Sequence, residues 1–193
     1  ISPNAFMYGS PDGKSVKVDA IEELLRSVRE ILANKGRIFF GTFPSEVRPE
    51  SVTSETIELV RKYCDIDNLV IGAQSGSERI LERICRGHGV EEIRQAVKLT
   101  IESGLKANVD LIYGLPYETE EDASRTIELA KELAKMGARI HAHTFMPLPG
   151  TPFRNMPPGK ISPKIEWEIE RLISVGKLYG PVSYTHLRAH ETV

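Results

Sequence analysis

An α/β fold with a parallel sheet, curled into a partial barrel or left open, is what this sequence predicts, and three observations carry the prediction. Apolar strand-like runs alternate with amphipathic helical stretches along nearly the whole chain. The run Leu69–Ala73 is apolar at every position, as expected of a parallel strand covered on both faces. Two runs, Asn68–Gln74 and Asn108–Tyr113, break into Gly, Ser or Pro beside polar side chains, and helix-forming sequence follows each. Ligands of parallel α/β folds bind at such carboxyl strand ends, where the next helix offers free backbone N–H groups.

Taken in order, the elements read as follows. A short strand is expected near Ala5–Tyr8. Asp19 with Glu22 forms a capping-box pattern, followed by a helical stripe of Ile21, Leu24, Leu25, Val28 and Ile31 that Gly36 ends. Ile38-Phe39-Phe40 predicts a buried strand stopped by Gly41-Thr42-Phe43-Pro44. A helix over about Ser54–Cys64 puts Ile57, Val60 and Cys64 on one face, and strand Leu69–Ala73 follows. Next come a short helix around Ile80–Arg83 and a longer one over Val90–Ser103, with Gly104 placed for a left-handed cap. Strand Lys106–Tyr113 leads to a second box-like start at Thr119 and Asp122 and a helix that Gly137 closes. The strand Arg139–Met146 ends at Pro147-Leu148-Pro149-Gly150-Thr151-Pro152, and Ser162-Pro163 opens a last amphipathic helix. That makes about five parallel strands, where eight would close a full barrel.

Bulk properties narrow the function classes. The chain is 40% hydrophobic and 27% charged, with a formal net charge of -2. No overall pull toward nucleic acid or an anionic membrane follows. No apolar run approaches the roughly 18 residues of a membrane span, and no secretory signal is visible. Two cysteines, Cys64 and Cys85, form neither a disulfide framework nor a zinc pattern, so a cytoplasmic setting is expected. Residues 182–193 show no helical or alternating pattern and resemble a translated sequencing-adapter read. They are read as a non-native tail, and His186 and His190 receive no role.

Period-two alternation sorts the side chains that could carry chemistry. Asn108, Asp110 and Ile112 share one face of their strand, and Arg139, His141 and His143 share one face of theirs. A carboxylate inside a covered strand is costly unless paired, so Asp110 is either a satisfied structural acceptor or a ligand contact. Two histidines two residues apart on a strand can chelate a metal. No third ligand at suitable spacing is evident, so no metal is assigned and His141 and His143 read better as substrate contacts. Gln74, Ser75, Ser77 and Glu78 line a turn into a helix, where Ser77 also suits a plain N-cap. Cys64 belongs to an apolar helix face, whereas Cys85 has basic neighbours Arg83 and Arg86 but no placed base.

Together these segments resemble the radical S-adenosylmethionine (SAM) superfamily. The run Gly72-Ala73-Gln74-Ser75-Gly76-Ser77-Glu78-Arg79-Ile80-Leu81, with Arg86-Gly87-His88, is similar to the fourth strand and following loop of those barrels. Asp110-Leu111-Ile112-Tyr113-Gly114-Leu115-Pro116-Tyr117-Glu118-Thr119 is similar to the fifth, usually D-L-I-x-G-L-P-G-E-T, with Tyr117 replacing a glycine. The Pro147–Pro152 segment matches the end of the sixth, and the closest group is one that often carries a cobalamin-binding domain upstream.

The resemblance implies a TIM-like (β/α)6 partial barrel, truncated at its N-terminus. Residues 1–153 would hold strands two to six, 154–181 a C-terminal helix extension and 182–193 the tail. It implies SAM and a 4Fe–4S cluster as cofactors, with cobalamin via an upstream domain as a further one. The partners are a small-molecule substrate and an electron donor such as a ferredoxin or flavodoxin. The cluster loop of the family, Cys-x3-Cys-x2-Cys, is absent from this chain, so the fragment is expected to be inactive alone. SAM is cleaved at the cluster in that family, giving a 5′-deoxyadenosyl radical or, in cobalamin-dependent methylases, a transferred methyl group. By position, Gln74, Ser75 and Ser77 would meet the ribose, Ile112 and Gly114 the adenine, and the backbone at Thr144, Phe145 and Met146 the adenine edge. Asp110 occupies the place of a glycine in the Gly-x-Ile-x-Gly-x-x-Glu pattern, and Tyr117 that of its glutamate. Arg86 would pair with the SAM carboxylate, and the family's Gly-Gly-Glu segment is not recognisable near Ser2–Tyr8. Asp110, His141 and His143 would face the substrate. Two alternatives are an aldolase-like barrel, for which no Schiff-base lysine or second phosphate loop is visible, and a non-catalytic ligand-binding barrel.

Overall fold

A computed structural model describes residues 4–33 and 35–180. Its spine is a parallel sheet of β1 (Asn68–Gln74), β2 (Lys106–Tyr113), β3 (Arg139–Thr144) and β4 (Leu178–Tyr179), hydrogen-bonded in that order. Helices α1 (Val18–Leu32) and α2 (Ser54–Tyr63) precede the sheet strands. Then α3 (Glu78–Arg83) and α4 (Val90–Glu102) link β1 to β2, α5 (Glu120–Met136) links β2 to β3, and α6 (Pro163–Ser174) leads into β4.

Alternation along each strand separates a helix-facing side from a concave one. Leu69, Ile71, Val109, Leu111, Tyr113 and Ile140 are fully buried against helical residues such as Ile93, Val97, Ile127 and Leu133. Each buried aliphatic side chain contributes about 1.5–3 kcal/mol, so this layer is the main source of stability. α4 covers β1 and β2, α5 lies over β2 and β3, and α6 packs on α5 and β4. The opposite side carries Asn68, Asn108, Asp110, Arg139, His141 and His143 and is not a filled core. Asn108 Nδ2 donates to Asn68 Oδ1 (3.0 Å), which also accepts from Thr42 Oγ1 (2.8 Å), so polar rungs cross the strands.

Local chemistry explains several boundaries. Thr53 and Thr56 form a capping box at α2, and Thr119 and Asp122 form one at α5, as their spacing predicts. Gly137 closes α5 at φ 104 and Gly104 follows α4 at φ 85, conformations that cost an L side chain energy. Asp19 does not cap α1. Lys17 holds that position without a side-chain bond, and Asp19 sits in the first turn, where its charge complements the helix dipole.

Two expected strands are not formed. Ala5–Met7 is a 3-10 turn capped by Asn4 Oδ1, and Phe6 is buried. Ile38-Phe39-Phe40 lies outside the sheet because the Ile38 carbonyl accepts from Asp65 N (2.8 Å). The edge of β1 is met further on, where the Gly41 carbonyl accepts from Val70 N and Val47 bridges Ile71. The extension beyond residue 153 adds β4 to the sheet, a strand of two residues that no sequence pattern announces. Residues 182–193, with His186 and His190, lie outside the described residues.

Candidate functional site at the carboxyl ends of the strands

Register, more than sequence distance, assembles the site. Gly72 pairs with Asp110, Asp110 with His141, and His141 with Tyr179, so one rung crosses all four strands. His143 stands one rung further, opposite Ile112. A single oxygen, Asp110 Oδ1, lies 3.3 Å from His141 Nδ1 and 3.4 Å from His143 Nε2. The imidazole rings meet edge to face at 4.0 Å, and Tyr179 stacks on His141 at 4.6 Å and 11°. Asp110 raises the affinity of His143 for a proton, by hydrogen bonding and by charge. Burial and the neighbouring His143 lower that of His141, so His143 is the ring that protonates first.

A cavity of about 580 Å³ opens beside this rung. Ile112, Leu115, Phe145, Met146, Leu148 and Phe153 form its apolar wall, and Glu46, Gln74, Arg86, Asp110, His143 and Thr144 its polar side. Gln74 is buried and has φ 71, at a point where the β1–β2 register shifts. A left-handed glutamine is uncommon and costs about 1 kcal/mol or more, so the surrounding structure imposes it. Gly72 leaves room beneath: a Cβ there would lie 2.7 Å from Gln74 Nε2 and 2.9 Å from Glu46 Oε2.

The polar side is held from behind by a partly buried ionic network. Arg86 Nη2 donates to the Gly72 carbonyl (2.8 Å), while its Nε is buried without a partner among the described residues. Burial, then the charge of Arg48, lowers the Arg86 pKa to about 10, still cationic at neutral pH. Arg48 Nε meets Glu50 Oε1 at 2.8 Å and His88 Nδ1 meets Glu50 Oε2 at 3.1 Å. Burial would raise the Glu50 carboxyl, but His88 and Arg48 outweigh it and hold it below its ordinary range. Glu46 shifts the other way, raised by burial and by Asp110 against the opposing charges of Arg86 and His143.

The residues singled out from sequence therefore divide. Gln74, Arg86, Asp110, Ile112, His143, Thr144, Phe145 and Met146 line the one cavity, and His141 adjoins it through Asp110. Ser75 and Ser77 do not line it. Ser75 Oγ faces Thr126 Oγ1 (3.3 Å) and accepts from Ser77 N (3.1 Å). Ser77 occupies the N-cap position of α3 but donates its hydroxyl to Asp122 Oδ1 (2.6 Å). Asp122 also binds Arg79 and Thr119, so both serines belong to the packing of α3 on α5. Gly114 acts through backbone, with φ 73 and an ideal Cβ position 2.9 Å from Gly159 Cα. Cys64 is half-buried, its thiol pushed up to about 12 by burial, and Cys85 is exposed.

Glu46 and Glu118 were missed from sequence. Glu46 follows the Gly41–Pro44 break, where strand-end reasoning could have found it. Glu118 Oε2 accepts from Gly114 N at 2.5 Å, clamping the turn after β2. The expected glutamate position one residue earlier is held by Tyr117 at φ 68, with Arg83 over its ring at 4.2 Å.

A parallel α/β sheet with an apolar cavity and a few convergent polar groups at its strand ends is the arrangement of the partial-barrel class, and the cavity is the candidate site. The sequence profile of the Radical SAM superfamily matches residues 5–130, and the chain belongs to that superfamily. It is 29% identical over 151 residues to "Uncharacterized protein MK0932" of Methanopyrus kandleri, covering 78% of this chain and 28% of that protein. It is 29% identical over 159 residues to the threonylcarbamoyladenosine tRNA methylthiotransferase MtaB of Thermotoga maritima, covering 81% and 34%. The fold matches coproporphyrinogen III oxidase (HemN) from Escherichia coli, described as a radical SAM enzyme, with a TM-score of 0.57 at 21% identity. That match covers 86% of this chain and 38% of HemN. The chain thus spans about a third of the length of these relatives. Among the described residues no helix is long and apolar enough to cross a membrane.

Proposed function

We propose that this chain is the SAM-binding part of a radical SAM enzyme and that SAM occupies the cavity beside β1, β2 and β3. The observation that carries the reading is the cavity's division into an apolar wall and a polar side that includes a cation and a carboxylate. Ile112, Leu115 and Phe145 would sandwich the adenine, with backbone at Thr144–Met146 along its edge. Gln74 would meet the ribose, a role Ser75 and Ser77 are not free to share. Arg86, whose buried Nε has no partner among the described residues, would take the carboxylate, and Glu46 suits the ammonium. Bound there, SAM would supply a carbon radical on one-electron reduction, with methionine released, or a methyl group by transfer to a nucleophile.

The residues present do not fit the iron–sulfur cluster. Cys64 and Cys85 are the only cysteines and no Cys-x3-Cys-x2-Cys loop exists here, so the reading puts the cluster ligands outside these residues. Asp110, His141 and His143 would face the substrate, and electrons would come from a ferredoxin- or flavodoxin-type donor. A small molecule suits a cavity of about 580 Å³, and a net charge of -2 gives the chain no overall pull toward nucleic acid. The cobalamin association expected from sequence has no support among the relatives named above.

Saturation-transfer NMR with SAM tests the reading on the full chain. Transfer to the adenine protons is expected, lost in Ile112→Glu and weakened about tenfold or more in Arg86→Met, a charge-assisted contact of about 1.5–3 kcal/mol. Absence of transfer in the unsubstituted chain, or transfer indifferent to both changes, would sink it.

A further inference from the structure

The geometry points to a second site that the SAM reading does not use: Asp110, His141 and His143 bind a divalent transition-metal ion of the zinc type on the concave face. His141 and His143 were set aside as ligands because no third donor was visible in sequence. The parallel register supplies it, placing Asp110 directly opposite His141 and one rung from His143. One ligand atom from each of the three residues lies within 4.8 Å of the other two.

Two of the three ligand–ligand spacings match those around a single ion. Asp110 Oδ1 is 3.3 Å from one ring nitrogen and 3.4 Å from the other. Charge-assisted hydrogen bonds are shorter, about 2.7–2.9 Å. Ligands of a tetrahedral ion at bond lengths of about 2.0–2.1 Å stand roughly 3.3–3.4 Å apart, which is the spacing seen around Oδ1. Two imidazoles and a carboxylate are a donor set that zinc, iron and related ions take, whereas calcium and magnesium prefer all-oxygen shells.

The surroundings suit such a site. All three ligands project from adjacent strands, which hold side chains more closely than loops do. Tyr179 stacks on His141 and fixes the ring plane. Asp110 and His143 also line the cavity, so the ion's fourth position would open toward it, available to an oxygen, nitrogen or sulfur donor of a substrate. This would be a separate metal from the cluster, held by none of the residues assigned to SAM above.

Cobalt(II) titration of the full chain, followed by visible absorption, tests the proposal without SAM or any cluster. One equivalent should develop a d–d band of tetrahedral or five-coordinate intensity, displaced by Zn²⁺. Asp110→Asn, His141→Gln and His143→Gln should each weaken binding more than about tenfold, since even losing a group that only supports a ligand costs about 10–100-fold. The paired substitution His186→Gln with His190→Gln should leave the band intact. Circular dichroism checks folding, and should Asp110→Asn unfold the chain, the two partly exposed histidines carry the test. No stoichiometric band, a band that survives the histidine substitutions, or one lost with His186 and His190 overturns the proposal. SAM transfer measured in metal-free buffer reports separately on the SAM reading.

Discussion

Replacing Glu118 by Gln should stabilise the protein at alkaline pH and change little in acid. The carboxyl of Glu118 is buried with Oε1 lacking a partner among the described residues, while Oε2 accepts from Gly114 N. Burial, reinforced by the charge of Asp122 and opposed by the backbone of Gly114 and Leu115, pushes its pKa from 4.5 up to about 7. A carboxyl whose folded pKa is raised binds its proton more tightly in the native state. Its contribution is therefore fully present below about pH 4.5 and is lost as pH climbs toward 7. That interval of about 2.5 pH units, at 1.36 kcal/mol each, sets the loss above pH 7 at about 3 kcal/mol. Glutamine keeps an oxygen for Gly114 N and never ionises. Urea unfolding at pH 5 and pH 8 should show Glu118→Gln within about 1 kcal/mol of the parent at pH 5 and about 2–3 kcal/mol more stable at pH 8. Equal effects at both pH values would refute the argument, because the gain would then have nothing to do with ionisation.

Two further changes probe the frame around the cavity. Ser77→Ala removes a buried hydrogen bond to the Asp122 carboxylate and should cost about 2 kcal/mol in urea unfolding while leaving SAM transfer unchanged; unchanged stability with weakened SAM transfer would restore Ser77 to the ligand. Gly114→Ala puts a Cβ at φ 73 and 2.9 Å from the Gly159 backbone, so a loss of about 2–4 kcal/mol is expected, and a neutral result would mean the strand-end turn is not held as described.

Much of the frame is legible because it rests on short-range rules. The boxes at Thr119 and Asp122, the glycines after α4 and α5, and the long strands Asn68–Gln74 and Lys106–Tyr113 announce themselves through capping chemistry and apolar runs. Ile38–Phe40 carries the same apolar signal but fails as a strand, because its backbone is drawn to Asp65 and the edge of β1 is taken by Gly41 and Val47. β4 is the reverse case: two residues have no periodicity to detect, and only docking beside β3 makes Leu178–Tyr179 a strand. Ser75 and Ser77 have partners that the sequence does not announce, for a related reason. A serine at a strand end suits a ligand and a helix contact equally well, and the deciding partners, Thr126 and Asp122, lie about 45–50 residues away in sequence.

The Asp110, His141 and His143 cluster shows what register adds that periodicity cannot. Alternation puts Asp110 on one face of β2 and the two histidines on one face of β3, but a slip of one residue in pairing would turn either set into the helical layer. What pins the register is that layer itself: Val109 and Leu111 opposite Ile140 and Ala142 keep the apolar side against α4 and α5. Hydrophobic burial on one side of the sheet thus fixes polar geometry on the other. Asp110 is nearly buried on that concave side, where an unpaired carboxylate would cost several kcal/mol. Two imidazoles at its Oδ1 relieve that cost, and so would an ion shared by all three. The apolar layer sets the rung whichever partner Asp110 takes. Chemistry at this face can therefore change by single substitutions at positions 110, 141 or 143 without disturbing the packing that positions them.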